Sequence, residues 1–307
     1  TTGLEISKIL LTEYRRNFST IRVTTRALDS PKARELAMLG AELHVFSEFV
    51  DDVFSGVDVV VDALPTTIPQ SYREELMQAI ARQNVKVYFL SEYGLDYRTN
   101  DFPGYEHPEW VKKRELAAAT RPLLESKTKV IQLVTGIFHG WTVRADRMSF
   151  ALQLTTAPDS SLFSNIVGID ADNNIFSPLG PGTLRFATTA ESDIGRSIAR
   201  LSILALDPKI AAAVPDVPHI AGHNVSYEEI RDIVARVRGV PKGEIKSEDL
   251  KAFKENLSKN PSTHIMNYAR VVIGENKLNY TQNDNELVNP GQQLWKWKTI
   301  EDYLRRA

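Results

Sequence analysis

The first half of the chain alternates short runs of β-branched and apolar residues with longer helix-like runs, and this alternation constrains the fold more than any other feature. Strand-like runs cover residues 20–26, 85–90 and 130–134. A further run at 57–64 is apolar almost throughout, which is typical of a strand buried on both faces. The pattern predicts an α/β protein with a Rossmann-like, doubly wound parallel sheet and right-handed crossover helices.

The second half of the chain is less regular and predicts a smaller α+β C-terminal lobe. We expect residues 1–156 to form the Rossmann domain and residues 157–307 to form the lobe, with 186–224 packing back onto the first domain. No strand-like run precedes the first helix, so the first strand of the sheet is expected to lie upstream of Thr1.

Composition narrows the class of protein. Hydrophobic residues make up 42% of the chain and charged residues 25%, which is an ordinary globular mixture. The formal net charge of −2 argues against general nucleic-acid binding, and no apolar run is long enough to cross a membrane. Cysteine is absent, which excludes thiolate chemistry and fits a reducing compartment. We therefore expect a cytoplasmic protein with neither nucleic acid nor membrane as a partner.

The N-terminus resembles the second half of a glycine-rich phosphate loop. Thr2, Gly3, Leu4 and Glu5 precede a helix-like run at 7–11, and such a loop presents free N–H groups and a helix dipole to a pyrophosphate. The usual third glycine would fall at Ile6, or at Ser7 after a shift of one residue, and either residue departs from the pattern. An ordinary surface turn is the alternative interpretation. If the loop binds phosphate, the Rossmann domain binds NAD(P).

Basic residues after the second predicted strand favour NADP(H). Arg26 stands at the end of that strand, where an acidic residue would select NAD and an arginine accommodates a 2′-phosphate. Lys32, in the following helix, adds positive charge. Leu64 ends the run at 57–64 and Pro65 follows it, and both are predicted to line the passage between adenosine and nicotinamide. The alternative for Arg26 is a solvated or salt-bridged arginine.

An ordered series of short motifs resembles the NmrA-like and isoflavone-reductase-like branch of the atypical short-chain dehydrogenases, and the downstream motifs resemble its fungal members. The resemblance implies a lobe that binds NADP(H) and a smaller lobe that closes a substrate cleft. The motifs are Thr2-Gly3, Thr25-Arg26, Lys32, residues 40–43 and 56–60, Ser91-Glu92-Tyr93-Gly94, residues 135–138, Ser192-Asp193-Ile194-Gly195, residues 288–291 and Trp295-Lys296-Trp297.

The resemblance also implies a catalytic lysine in the helix after the Ser91–Gly94 motif, because the reductases of this group lack the Tyr-x-x-x-Lys pair. Lys113 is our first candidate and Lys112 our second. An ammonium beside the nicotinamide ribose binds its hydroxyls and helps to supply a proton to the product. The alternative is that both are solvated helix lysines.

Further candidates follow the later strands. Ser91, Glu92, Tyr93, Gly136 and Phe138 are predicted to contact the cofactor.

The substrate is expected to lie against aromatic residues. Tyr93, Phe138 and Trp141 are predicted to contact it, with His139 beside them, although a structural role for His139 is the simpler alternative. The histidine pair His219 and His223 lies in a predicted strand rather than a helix, so we predict no metal site.

Two functions remain open on these residues. The first is an NADPH-dependent reductase, in which the cofactor transfers a hydride to a small molecule. The expected substrates are aromatic, enone or carbonyl compounds, and the particular substrate stays open. The second is a dinucleotide-sensing regulator that acts through a protein partner, which an exposed surface formed by Tyr268, Tyr280, Trp295 and Trp297 would support. The oligomeric state stays open.

Overall fold

The computed structural model describes residues 2–45, 51–65, 67–100, 106–124, 127–142, 165–170 and 173–305. The strands are β1 (Arg22–Thr25), β2 (Glu42–Val45), β3 (Val59–Val61), β4 (Val87–Phe89), β5 (Lys129–Ile131), β6 (Ile137–Phe138), β7 (Asn165–Ile166), β8 (Ile169–Asp170), β9 (Ile175–Phe176), β10 (Arg185–Thr189), β11 (His223–Ser226) and β12 (Glu244–Ile245). The α-helices are α1 (Thr2–Thr12), α2 (Pro31–Met38), α3 (Asp51–Phe54), α4 (Gln70–Arg82), α5 (Pro108–Leu124), α6 (His139–Thr142), α7 (Glu191–Leu206), α8 (Tyr227–Arg238), α9 (Leu250–Lys259), α10 (Ile265–Gly274), α11 (Asn285–Val288) and α12 (Ile300–Leu304).

The N-terminal strands pair in parallel, and helices connect them. β1 pairs with β2, and β3, β4 and β5 pair in that order. Helix α2 joins the first pair, α4 joins β3 to β4, and α5 joins β4 to β5. β4 is fully buried, as expected for a strand covered on both faces. The predicted α/β, Rossmann-like fold class is confirmed.

The parallel strands form two separate groups rather than one continuous sheet. Within the described residues, the β1–β2 pair and the β3–β5 sheet share no strand pairing. The three valines of β3 are only half-buried, whereas the three residues of β4 beside it are buried. β1 and β3 are therefore both edge strands, and each carries backbone N–H and C=O groups without a ladder partner.

Helix α1 packs against both groups of strands. Ile6 lies in one apolar cluster with Phe89 and Ile131, Leu11 lies in another with Ile21, and Leu10 contacts both clusters. The sequence predicts a helix from residue 7, but α1 begins at Thr2, so Gly3 to Ile6 form its first turns rather than a loop. Burial of Ile6 explains the earlier start, because its side chain is only 2% exposed.

The second half of the chain adds strands beside the carboxyl end of β5. β10 pairs in parallel with β6 and antiparallel with β11. Residues 216–220 run alongside the extension of β5, where Val134 N donates to Pro218 O and Ile220 N donates to Val134 O. The segment lies within residues 186–224, which are predicted to pack back onto the first domain. It forms an isolated bridge between His219 and Val134 rather than a regular strand. The division into two domains at residue 156 stays a prediction.

Turns and caps set several local features of the second half. The antiparallel β7–β8–β9 arrangement uses positive φ angles of 50° at Val167 and 80° at Gly168 in its first turn. Helix α7 follows Ala190 directly, because the preceding strand runs straight into it. Helix α9 begins at Leu250, where the Asp249 side chain accepts from Ala252 N. In the part of the chain described, no helix has both the length and the hydropathy needed to span a membrane.

Candidate active site

The candidate site lies at the carboxyl ends of the parallel strands, where α1 begins. An ideal Cβ on Gly3 would lie 3.1 Å from Cβ of Ala63, which follows β3. The N-terminus of α1 therefore lies directly against the loop after β3. Its first backbone N–H groups have no intrahelical acceptor, so they are available to an anion.

Three side chains hold the loop after β3 in place. The Asp62 carboxylate accepts from Leu64 N at 2.8 Å, and the Ser91 hydroxyl donates to Leu64 O at 2.8 Å. The Arg73 guanidinium donates to Pro65 O at 2.7 Å. Leu64 and Pro65, the predicted cofactor contacts, thus stand on a fixed backbone. Ser91, another predicted cofactor contact, donates its hydroxyl hydrogen to this loop instead.

Asp62 and Arg73 form a buried ion pair beneath this loop. Arg73 Nη1 lies 3.2 Å from Asp62 Oδ2, and the side chains are 6% and 0% exposed. Burial raises the pKa of Asp62, opposed by the Leu64 N–H and by Arg73. Tyr88 also donates its hydroxyl to Asp62 at 3.0 Å. Each oxygen of the carboxylate therefore has a donor, which is what a charge at this depth requires.

Backbone hydrogen bonds join the turn at Gly94 to the turn at Thr135 and Gly136. Thr135 N and Gly136 N both donate to Gly94 O, at 3.0 and 3.1 Å. Gly136 has a φ of 69°, and an ideal Cβ there would lie 2.3 Å from Ala187 O. Only glycine fits this position, because both the dihedral angle and the space exclude a side chain. The predicted cofactor contact Gly136 therefore has a definite structural role.

Lys113 contacts the Ser91–Gly94 motif, and Lys112 does not. Lys113 Nζ donates to Glu92 O at 2.8 Å and lies 3.5 Å from Glu92 Oε2. Lys112 is exposed and lies 3.7 Å from Glu109 Oε1 on the outer face of α5. The two neighbouring lysines thus face different surroundings.

Glu92 is turned into the protein. Its side chain is 5% exposed, and burial raises its pKa, opposed by the charge of Lys113. Gln132 Nε2 lies 3.5 Å from Glu92 Oε1 and donates to Tyr97 OH at 2.8 Å. Gln132 Oε1 accepts from Arg121 at 2.9 Å. The carboxylate therefore sits between an ammonium and a fixed amide.

The basic residues predicted to bind a 2′-phosphate are exposed and available. Arg26 directly follows β1, and within the described residues it makes neither a hydrogen bond nor an ion pair. Lys32 lies in the first turn of α2 and is likewise exposed and unpaired in the described part of the chain. Ser30 caps α2 by accepting from Ala33 N at 3.2 Å. The predicted N-cap and the proline that follows it are confirmed.

The residues predicted to contact the substrate differ in burial and in their partners. Tyr93 is 8% exposed, and its hydroxyl has no hydrogen-bond partner in the described structure. Phe138 is partly buried against the apolar cluster that contains Tyr93. His139 is fully buried beside the ring of Tyr303, and burial lowers its pKa to about 3, so it is a neutral residue at physiological pH. The backbone of Trp141 belongs to α6, but its side chain lies outside the described residues.

Sequence reasoning missed Asp62, Arg73 and Gln132. An acid at the end of a valine-rich strand was the one available signal for Asp62, because such a position is buried and requires partners. Arg73 and Gln132 carried no local signal, since only the fold brings them to the strand tips.

The predicted absence of a metal site concerns the histidine pair. His219 Nε2 lies 3.1 Å from Asp96 Oδ2, and His223 Nδ1 accepts from Ile300 N at 3.2 Å. Each ring is engaged in separate contacts. Over the described ranges, no group of three or more His, Cys, Asp or Glu side chains is arranged to hold a metal ion.

Comparisons with known proteins place the chain among reductase folds. No protein-family model matches it. It is 26% identical over 213 residues to an NmrA-like family domain-containing oxidoreductase of Gibberella moniliformis (strain M3125 / FGSC 7600). The match covers 67% of this chain and 59% of that protein, so the chain spans about three-fifths of the curated relative that it matches.

Three solved structures share the architecture. AtPrR2 with NADP+ and (+)pinoresinol has a TM-score of 0.68 at 17% identity, covering 100% of this chain and 95% of that one. An isoflavone reductase has a TM-score of 0.68 at 18% identity, covering 98% and 94%. A leucoanthocyanidin reductase–NADPH complex from Vitis vinifera has a TM-score of 0.69 at 13% identity, covering 99% and 95%.

The fold is thus that of the isoflavone-reductase-like proteins. The resemblance to the NmrA-like and isoflavone-reductase-like group, predicted from the ordered motifs, is confirmed by these likenesses.

Proposed function

We propose that the chain is an NADPH-dependent reductase of the NmrA-like and isoflavone-reductase-like type, acting on a small aromatic, enone or carbonyl compound. The observation that carries the proposal is the contact of Lys113 Nζ with Glu92 O, which places an ammonium at the tips of the parallel strands. The oxidoreductase relative and the NADP+- and NADPH-bound structural neighbours support it.

The residues present fit NADP(H). The N-terminus of α1, with Gly3 against Ala63, offers free N–H groups to a pyrophosphate. Among the described residues Arg26 has no partner for its guanidinium, whose fork matches a 2′-phosphate, and Lys32 adds charge. Leu64 and Pro65 would contact the dinucleotide from a backbone that Asp62 and Arg73 hold in place. Bound NADPH would supply the hydride.

The chain itself would supply orientation and a proton. Lys113 would bind the ribose hydroxyls and donate a proton to the product oxyanion or carbanion. Phe138 and Tyr93 would form an apolar floor that excludes water from the reacting carbon. His139, being neutral and fully buried, belongs to the wall of the site rather than to proton transfer.

The test joins binding to turnover. NADPH binding is measured by its fluorescence on titration, and NADPH consumption is then followed with a panel of aromatic enones and ketones. Lys113→Ala should keep NADPH affinity within a few-fold and lose turnover, whereas Lys112→Ala should retain both. Failure of the purified protein to bind NADPH would refute the proposal, and unchanged turnover in Lys113→Ala would refute the role of that lysine.

The regulator alternative loses one of its supports. Tyr268, Tyr280 and Trp297 are 2%, 6% and 8% exposed, so they belong to the packed interior. Trp295 packs edge-to-face on Trp297, with ring centroids 5.2 Å apart. Tyr268, Tyr280 and Trp297 therefore form no exposed surface for a protein partner. The Ile6 that stands in place of a third glycine is one feature that still favours a sensor.

A further inference from the structure

We propose that Glu92 is a positioning residue for the Lys113 ammonium and does not itself bind the cofactor. The inference rests on the proposed reductase function and revises the prediction that the Glu92 side chain contacts NADP(H). It assigns to one residue of the Ser91–Gly94 motif the task of fixing where the proton donor stands.

Glu92 contacts Lys113 in two ways. Its backbone carbonyl accepts a hydrogen bond from Nζ at 2.8 Å, and its Oε2 lies 3.5 Å from the same Nζ. A carbonyl alone fixes one N–H direction and leaves the ammonium free to rotate about it. The carboxylate adds a second attachment and a negative charge, so the long lysine side chain loses much of its freedom.

The Glu92 carboxylate has little access to a ligand. Its side chain is 5% exposed, compared with 22% for Lys113. Among the described residues, Lys113 is the only cation within salt-bridge distance of it. A buried carboxylate needs such a partner, and an anionic dinucleotide would not be attracted to it. The lysine is therefore the group that faces the ligand.

Gln132 fixes the other side of the carboxylate. Its Oε1 accepts from Arg121 at 2.9 Å, so its amide NH₂ must face Tyr97 OH at 2.8 Å and Glu92 Oε1 at 3.5 Å. One oxygen of Glu92 thus faces an amide donor, and the other faces Lys113. Glu92→Gln keeps the size of the side chain but places an NH₂ group against one of two existing donors, either the Gln132 amide or the Lys113 ammonium.

The first test uses the protein without cofactor. Amine acetylation by acetic anhydride, followed by mass spectrometry, measures the reactivity of Lys113 with Lys112 in the same peptide as an internal reference. In Glu92→Gln, Lys113 should react several-fold faster, because its amine is no longer held by a carboxylate, and Lys112 should not change. Equal reactivity of Lys113 in the two proteins would overturn the proposal.

The second test separates turnover from cofactor affinity. Glu92→Gln should leave NADPH affinity within about twofold and lower kcat roughly tenfold or more, the scale of one charge-assisted contact. Glu92→Asp, which keeps the charge one methylene further away, should fall between the two and serves if the glutamine variant does not fold.

The matched control is Glu109→Gln, which removes the carboxylate beside Lys112 on the exposed face of α5 and should change neither kcat nor NADPH affinity. A wild-type protein that neither binds nor consumes NADPH would refute the proposed function. Turnover that depends on Lys113 but not on Glu92 would refute this inference alone. A large loss of NADPH affinity in Glu92→Gln, with kcat unchanged, would identify Glu92 as a cofactor contact instead.

Discussion

At the scale of single residues, buried charge shapes the candidate site. Asp62 with Arg73 and Glu92 with Lys113 are both acid–base pairs at strand tips, but they differ in exposure. The first pair is almost completely enclosed, whereas Lys113 keeps 22% of its side chain exposed. An enclosed pair holds backbone in place, and a half-open pair presents one charge to a ligand. We therefore expect the two pairs to respond differently to substitution.

Breaking the enclosed pair should reduce stability in a pH-dependent way. Arg73→Met leaves Asp62 buried without its cation, and loss of one partner of such a pair typically costs about 3–5 kcal/mol. Burial already raises the pKa of Asp62, and the variant raises it further. The carboxyl will then protonate more readily, so the stability deficit should shrink as pH falls and grow as pH rises. Urea unfolding between pH 4 and pH 8 measures this, and a pH-independent deficit would contradict it.

Arg26 should discriminate between the two pyridine nucleotides. Arg26→Ala removes an exposed guanidinium that would pair with the 2′-phosphate, so NADPH affinity should fall about 10- to 100-fold. NADH affinity should change little. Fluorescence titration with each nucleotide measures both constants, with Arg16→Ala, an exposed arginine in the turn that follows α1, as the control. An equal loss for NADPH and NADH would mean that Arg26 does not contact the phosphate.

At the scale of elements, α1 and α7 make an unusually close contact. An ideal Cβ on Gly195 of α7 would lie 3.0 Å from Ile9 Cγ1 and 3.4 Å from Ile6 Cα. The Ile6 side chain meanwhile packs against Phe89 and Ile131. The dinucleotide pattern uses its third glycine for close packing of the helix on a strand. Here Ile6 fills the space towards the strands, and Gly195 permits the close approach of a second helix.

Filling that contact should loosen α1. Gly195→Val should destabilise the protein by about 1–3 kcal/mol, the usual cost of overpacking, and should weaken NADPH binding because the N-terminus of α1 moves. Gly195→Ala should be milder, since the gain in helix propensity offsets part of the strain. Thermal unfolding measures the series. Combining Gly195→Val with Ile9→Ala should recover part of the loss if the contact is the cause.

The edge strands should exchange their amide hydrogens faster than the central strand. In the described part of the chain, β1 and β3 each lack a strand partner on one side, whereas β4 is paired on both sides and buried. In a hydrogen–deuterium exchange experiment, the amides of residues 87–89 should therefore exchange more slowly than those of residues 22–25 and 59–61. Equal protection in all three segments would show that the outer edges of β1 and β3 are covered.

At the scale of the whole molecule, a polar cluster ties the strand tips to the C-terminal region. Asp96 accepts two hydrogen bonds from the Arg98 guanidinium at 2.8 and 2.7 Å and lies 3.1 Å from His219 Nε2. His219 N donates to Asp284 at 2.7 Å, and Asp96 N donates to Tyr280 OH at 3.3 Å. Residues distant in sequence therefore meet beside the loop that follows the Ser91–Gly94 motif.

This cluster predicts acid sensitivity. Burial alone would raise the pKa of Asp96, but hydrogen bonds from Arg98 and His219 hold it well below its ordinary value. A carboxyl with a lowered pKa in the folded state stabilises the fold above its unfolded pKa of about 4 and loses that contribution as pH falls further. Asp96→Asn should therefore be less stable than wild type at pH 7, and the difference should narrow below pH 4. Urea midpoints at the two pH values measure it.

Local chemistry explains how much of the structure was predictable. Ser30 caps the start of α2, and Gly239, with a φ of 66°, caps the end of α8. Both are residues typical of these positions, because a cap depends on adjacent residues. The start of α1 was missed because Ile6 is helical through contacts with distant strands. Within the candidate site, Lys113 could be named from its motif, but its contact with Glu92 and the Asp62–Arg73 pair depend on tertiary structure alone.

The glycine at position 195 also implies a pattern of covariation among related sequences. A relative with a larger residue at 195 should carry a smaller residue at 9, because the two positions share one space between α1 and α7. An alignment of relatives would reveal this pairing as a correlated exchange of side-chain volume.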